Sequence, residues 1–262
     1  MFRRPFAIVL TVCLVAIPSA TRSQSRTTAG KTYDEILDTY VRGGLVYYRA
    51  LKLERTRFDA YVGTLAVASI DAAPRDERLA FWLNAYNAIV LQTVIDHYPI
   101  VQRTSQYPPH SIRQIPGAFE RITHRLAGRT LTLDQIEQTV LSGFGDPRAY
   151  LALGRGSLGG GRLRSESFAA ARLDAQLKEV ADECVTRSEC VQLDRDAKKL
   201  TVSAIFSWRE KDFVAAYGDK APAVFATRSP VERAVIAFIQ PRLLTTERDF
   251  VSQNEFQLTF RP

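Results

Sequence analysis

The side chains best suited to chemistry lie in the middle of this sequence, at Glu137 and Ser157. A serine hydroxyl becomes a nucleophile when a neighbouring base removes its proton, and a glutamate can orient that base or transfer protons itself. No G-x-S-x-G turn surrounds Ser157, and no third group that would orient a base is visible near it. A hydrolase-like enzyme would therefore need a histidine that approaches Glu137 and Ser157 only in the folded chain.

The remaining motifs predict neither a metal site nor a cofactor. His97, His110 and His124 do not have the spacing of metal ligands. Residues 154–159 match G-x-G-x-x-G, but more glycines follow where a dinucleotide-binding unit would begin its helix.

The glycine-rich segment carries a second hypothesis, because it also contains Arg155, Arg162 and Arg164. Exposed backbone N–H groups together with guanidinium groups can bind an anion. The alternative is a flexible, solvated loop that binds nothing, and this composition is typical of such loops. A small anionic ligand is thus one candidate partner, and a protein is the other.

Two asparagines lie in the most apolar segment of the chain. Asn84 and Asn87 are three residues apart and share one side of a predicted helix. A buried amide needs hydrogen-bond partners. These two residues therefore either orient a ligand site or tie the backbone of a neighbouring loop to the core.

That apolar segment predicts the element around which the domain is built. Residues 76–97 are apolar on nearly every face, which is typical of a helix buried all round, and Tyr98-Pro99 ends it. Thr132 and Gln135 have the spacing of a capping box and predict a helix to about residue 142. Another helix is predicted over residues 167–184.

The strands are predicted to be few and short. A buried strand is expected over residues 149–153, a strand pair over 191–203 and an edge strand over 256–260. The fold class that follows is α+β: one helix-rich domain around a buried central helix, with a small sheet.

The N-terminus predicts export to the periplasm or the cell exterior. Arg3 and Arg4 precede a short apolar run and the small residues around Ala20, which is the layout of a secretory signal peptide. We expect residues 1–24 to be cleaved, residues 25–34 to be flexible and residues 35–262 to form the domain. Cleavage removes Arg3, Arg4 and Arg22 and no acid, so the net charge falls from +7 to 7 − 3 = +4. This mild charge predicts no nucleic-acid partner, and the mature chain contains no predicted transmembrane span.

The cysteines agree with export. Cys13 lies in the predicted signal peptide, which leaves Cys184 and Cys190 as an even pair. In an oxidising compartment such a pair favours a disulfide, whereas a zinc site would need further ligands.

Several motifs together resemble the DUF547 domain family, a functionally uncharacterised family found in bacteria, plants and nematodes. The resemblance extends over roughly residues 35–240. Its motifs are Gly44-Leu45-Val46-Tyr47-Tyr48, residues 81–88, residues 131–137, Asp146-Pro147-Arg148, and residues 204–208 with residues 211–213.

The departures from the family pattern bear directly on function. The resemblance implies a His and two Cys after Asp-Pro-Arg, but this chain has Tyr150, Arg155 and Gly160 at those positions, and Gln138 replaces another His. Thiol chemistry at those positions is therefore excluded. We predict a non-catalytic binding or structural protein, a pseudoenzyme of the family, with the hydrolase as the alternative. The candidate ligand-binding residues are Asn84, Asn87, Arg148, Tyr150 and Arg155.

Overall fold

A computed structural model of the chain describes residues 20–156 and 161–261, with side chains from residue 30 onward. The first 19 residues of the predicted signal peptide lie outside this described part, as do Ser157 and Gly160. The signal peptide therefore stays a prediction.

The described residues form mostly helices. The helices are α1 (Ala20–Tyr40), α2 (Tyr48–Leu53), α3 (Thr56–Ala66), α4 (Arg75–His97), α5 (Leu133–Gln135), α6 (Arg148–Leu151), α7 (Leu173–Thr186), α8 (Ile205–Trp208), α9 (Glu210–Tyr217), α10 (Pro230–Ile239) and α11 (Thr245–Ser252). A π-helical segment (Ile136–Leu141) continues α5. The strands are β1 (Val41–Arg42), β2 (Leu45–Val46), β3 (Thr123–Leu126), β4 (Arg129–Thr132), β5 (Val191–Asp194), β6 (Lys199–Ser203) and β7 (Gln257–Arg261).

The central helix α4 matches the predicted helix closely. Its fully buried side chains include Leu83 and Tyr86, and it packs against α2, α3, α5 and the π-helical segment. It ends where Tyr98 adopts an extended conformation before Pro99, because the residue before proline avoids helical geometry. The predicted helix-rich α+β class is confirmed.

The small sheet has the order β5-β6-β7. Strands β5 and β6 are antiparallel and pair Val191 with Val202, whereas β7 adds parallel to β6. The predicted strand pair and the predicted C-terminal edge strand are therefore both present. The two other antiparallel pairs, β1-β2 and β3-β4, are separate hairpins.

The predicted strand over residues 149–153 is wrong, because α6 occupies most of it. A carboxylate oxygen of Asp146 accepts the backbone N–H of Arg148 at 3.1 Å, and Pro147 has a helix-compatible φ of −68°. Together they start a helical turn. A short apolar run that is buried on all sides cannot be assigned to strand or helix by its periodicity alone.

Helix α1 packs against the domain through its second half. The helix includes residues 25–34, and Tyr33 is fully buried and stacks on Tyr61 with 4.4 Å between ring centroids. Tyr33 belongs to the same apolar stripe of the helix as Ile36 and Leu37. The flexible segment expected over residues 25–34 stays a prediction.

Among the described residues, no helix combines the length and the apolarity needed to cross a bilayer.

Candidate functional site

The centre of the candidate site is the carboxylate of Glu137, which lies on the π-helical segment and is buried. Its Oε1 accepts hydrogen bonds from the Tyr86 hydroxyl at 2.5 Å and from Nε of Arg155 at 3.0 Å. Its Oε2 accepts from Nη2 of Arg155 at 2.6 Å and from Nη2 of Arg209 at 2.5 Å. Four chain segments that are distant in sequence therefore meet at one carboxylate.

Charge pairing at this carboxylate outweighs the cost of burial. Burial alone would raise the pKa of Glu137, but the charge and hydrogen bonds of Arg155, together with Tyr86 and Arg209, lower it to about 2. Burial and the Glu137 charge also raise the pKa of Tyr86 well above its usual value. Near neutral pH Glu137 is thus a fixed anion and Tyr86 a fixed donor, so neither is suited to exchange protons.

Arg155 is held in place from both sides. Only 8% of its surface is exposed, and its Nη1 donates to the carbonyl of Tyr150 at 3.1 Å. The chain before it is fixed by Asn87, whose amide group donates to the carbonyl of Ala152 at 3.1 Å and accepts the N–H of Gly154 at 2.8 Å. The arginine is therefore an internal part of the fold and does not project into solvent.

Arg209 lies between α8 and α9 and donates to Oε2 of Glu137, whereas Tyr86 of α4 donates to Oε1. Its guanidinium lies 4.6 Å from the ring centroid of Tyr150, a cation–π arrangement. The Tyr150 hydroxyl makes no hydrogen bond of ordinary geometry within the described residues. Burial, and then the nearby charge of Asp212, raise its pKa.

The two predicted asparagines tie loop backbone to α4. Asn84 donates to the carbonyl of Phe168 and accepts the N–H of the same residue, both at 2.8 Å. Asn87 makes the equivalent pair of bonds to the segment before Arg155. Of the two alternatives at these positions, the described contacts are those of the structural one, in which each side-chain amide pairs with backbone much as a neighbouring strand would.

Arg148 has its own carboxylate partners. Its Nη2 lies 2.8 Å from Oδ2 of Asp146 and 2.8 Å from Oδ1 of Asp174. It joins the start of α6 to the start of α7 and does not contact Glu137.

The glycine-rich segment does not gather its arginines into one site. Arg162 pairs with Glu183 at 3.2 Å, while Arg164 pairs with Glu166 and Glu179 at 2.7 and 2.6 Å. Arg155 pairs with Glu137. Each guanidinium of the predicted anion site thus has an internal carboxylate partner, and ligand binding by Arg155 stays a prediction.

Gly161 is required by a close approach within this segment. A Cβ atom at residue 161 would lie 2.0 Å from the carbonyl oxygen of Leu151. No side chain fits there, so the end of the glycine-rich segment runs directly over α6.

The histidines make their contacts elsewhere. Nδ1 of His97 bonds the carbonyl of Thr93, and Nδ1 of His110 bonds the carbonyl of Ile100. Burial lowers the pKa of His124 to about 4. Among the described residues, no group of three or more His, Cys, Asp or Glu side chains has the arrangement of a metal site.

Tyr86 and Arg209 belong to the site but were not predicted. Tyr86 directly precedes Asn87 in the apolar helix, where a tyrosine is most simply read as core. Arg209 directly follows the motif at residues 204–208. Because Arg209 is far from Glu137 in sequence, no local pattern identifies the contact between them.

The predicted disulfide is present and joins Cys184 near the end of α7 to Cys190, with 5.3 Å between the Cα atoms.

Comparison with known proteins supports the resemblance seen in the motifs. Residues 70–185 match the model of a family described as "Protein of unknown function, DUF547". The match includes Asn84, Asn87, Glu137 and Arg155, whereas Arg209 lies beyond it. No curated protein and no solved structure is significantly similar to the chain.

Proposed function

We propose that this protein is an exported, non-catalytic binding domain, a member of the DUF547 family whose reactive positions are occupied by structural side chains. One observation carries the proposal. Arg155, at a position where the resemblance implies a cysteine, is buried in a two-point ion pair with Glu137 that Tyr86 and Arg209 complete.

The chemistry of these groups supports a structural role. A guanidinium stays protonated in proteins and has no lone pair with which to attack a substrate. Both carboxylate oxygens of Glu137 already accept two hydrogen bonds each. A catalytic base would need a free oxygen and a pKa nearer the working pH.

The hydrolase-like alternative lacks the same support. It requires Glu137 to orient a histidine towards Ser157, and the carboxylate is committed to Arg155 and Arg209 instead.

Export rests on the N-terminal pattern of charge and hydropathy, and the Cys184–Cys190 disulfide supports it. Disulfides form and persist in oxidising compartments and are rare in the cytosol. Production of the full chain in a bacterial host, followed by fractionation and N-terminal sequencing, tests this part. We expect a mature protein that begins near residue 25; retention of Arg3 and Arg4 in the purified chain would contradict it.

Absence of catalysis is tested by comparing hydrolysis rates on p-nitrophenyl esters and on peptide substrates. The mature protein, Ser157→Ala and Glu137→Gln are measured beside Ser165→Ala, which changes an exposed serine nearby in the sequence. We expect all four to show the same background rate. Turnover that is lost in Ser157→Ala and kept in Ser165→Ala would overturn the proposal in favour of the hydrolase.

A further inference from the structure

A surface groove forms where the β1-β2 hairpin leads into α2. Its walls include the apolar and aromatic side chains of Val46, Tyr47, Tyr48, Leu53 and Tyr98, with Arg49 beside them. We call this feature the tyrosine groove. Its volume of about 450 Å³ falls in the range of roughly 300–1,000 Å³ that is usual for small-molecule sites.

The tyrosine groove exposes large apolar and aromatic side chains to solvent. Leu53 is 77% exposed and Tyr47 is 58% exposed. Tyr48 and Tyr98 stack with 6.2 Å between their ring centroids and 28° between their planes. Burial raises the pKa of Tyr48 to about 12, so its phenol stays neutral at ordinary pH. Flat, uncharged aromatic faces of this kind favour stacking against another ring.

One contact fixes the shape of this aromatic wall. Nζ of Lys52 donates to the backbone carbonyl of Tyr98 at 2.5 Å. Tyr98 is thereby tied to α2, the helix that carries Tyr48, and the stacked pair is held before any ligand arrives. A preformed wall reduces the entropy that binding would otherwise lose.

Arg49 supplies an uncommitted positive charge. Its side chain is exposed, and no hydrogen bond or ion pair involves it among the described residues. The next arginines along the chain behave differently, since Arg55 pairs with Asp59 and Asp96 and Arg57 pairs with Glu35. The groove therefore combines aromatic faces with a single available guanidinium.

We propose that the tyrosine groove binds small aromatic carboxylates, with the ring of the ligand against the tyrosines and its carboxylate paired with Arg49. A planar guanidinium matches a carboxylate through two parallel hydrogen bonds. A neutral sugar would leave this charge unused, and Lys52, the second cation at the aromatic wall, already donates to the carbonyl of Tyr98. The inference rests on the proposed function as a binding domain and names its ligand class.

The test measures binding to the mature protein by titration calorimetry, with indole-3-acetate and 4-hydroxyphenylacetate as probes. Their amides, which keep the ring and remove the charge, are the matched ligands. Arg49→Ala and Tyr47→Ala are the test variants, and Arg125→Ala, an exposed arginine on β3, is the control. We expect Arg49→Ala and each amide to weaken binding about tenfold, in keeping with a charge-assisted hydrogen bond. We expect Tyr47→Ala to weaken it less and Arg125→Ala to leave it unchanged.

Three results would overturn the inference: no binding of either acid at millimolar concentration, equal binding of acids and amides, or equal loss in Arg49→Ala and Arg125→Ala. All substituted side chains are exposed, so the variants should fold, and circular dichroism checks this. Failure here is distinct from failure of the proposed function, because the esterase comparison at Ser157 does not involve the tyrosine groove.

Discussion

Glu137 and Arg155 face each other through two hydrogen bonds, Nε to Oε1 at 3.0 Å and Nη2 to Oε2 at 2.6 Å, and both side chains are at most 10% exposed. Removing one partner of such a pair leaves a buried charge without compensation. Arg155→Ala should therefore lower the free energy of unfolding by about 3–5 kcal/mol, as measured by urea denaturation followed by circular dichroism.

The matched control for Arg155→Ala is Arg57→Ala, which breaks an ion pair with Glu35 whose side chains are 65% and 48% exposed. Exposed pairs contribute about 0–1 kcal/mol, so this variant should stay close to the parent. Equal losses in the two variants would show that the Glu137–Arg155 pair contributes no more than a surface contact. Tests of ligand binding by Arg155 should use Arg155→Lys, because an Arg155→Ala variant that unfolds would lose ligand binding whether or not Arg155 contacts the ligand.

The same pair predicts how stability depends on pH. The folded pKa of Glu137 is lowered from 4.5 to about 2, so the unfolded chain binds its proton more readily than the folded one. The contribution of this carboxylate is fully present above about pH 4.5 and is lost as the pH falls towards 2. At about 1.36 kcal/mol per pH unit it amounts to about 3 kcal/mol.

Urea denaturation at intervals from pH 2 to pH 7 measures this dependence, and Glu137→Gln serves as the comparison. We expect the parent and the variant to differ most near neutral pH and to converge in acid. A constant difference between the two curves across this range would contradict the assignment.

The parts of the fold that could be predicted from the sequence are those set by local patterns. Helix α4 is apolar on nearly every face and ends before Pro99, and both features are visible in consecutive residues. The capping box between Thr132 and Gln135 is present as predicted. Such signals need no knowledge of distant segments.

The site itself could be predicted only in part, because its contacts join distant segments. Glu137 and Arg209 are 72 residues apart in sequence, and the local sequence around either residue does not predict the contact. Arg155 stands among glycines, where an arginine is normally exposed, yet it is buried because Glu137 lies opposite. The sequence around Glu137 also contains no recognisable signal for a π-helical segment.

Substitutions of the two asparagines of α4 should each loosen a different loop, the one at Gly154 or the one at Phe168. Asn87→Ala should speed amide exchange at Gly154 and leave Phe168 protected, whereas Asn84→Ala should do the reverse. Each substitution removes two hydrogen bonds to backbone, so each should lower stability by about 1–3 kcal/mol. Hydrogen exchange followed by NMR measures both sites at once, and each variant is the control for the other. If both variants instead sped exchange at Gly154 and Phe168 to the same extent, the asparagines would stabilise the whole domain and not their own loops.

The disulfide between Cys184 and Cys190 closes a short loop, with a sequence separation of 6. Its chain-entropy contribution is about 2 kcal/mol. The loop is also held by backbone hydrogen bonds from Arg187 to Cys184 at 3.2 Å and from Cys190 to Arg187 at 3.0 Å, so this figure is an upper bound. For a domain of this size the loss corresponds to a fall in Tm of at most about 4–8 °C on reduction.

Thermal unfolding with and without reductant measures the effect of the disulfide, and the double variant Cys184→Ala, Cys190→Ala is the control. We expect reductant to lower the Tm of the parent and to leave the Tm of the double variant unchanged, because the variant has no bond to reduce. Thiol counting by mass spectrometry on the unreduced, denatured protein gives an independent check. Two free thiols at Cys184 and Cys190 in protein recovered from the periplasm would contradict the disulfide and remove its support for export.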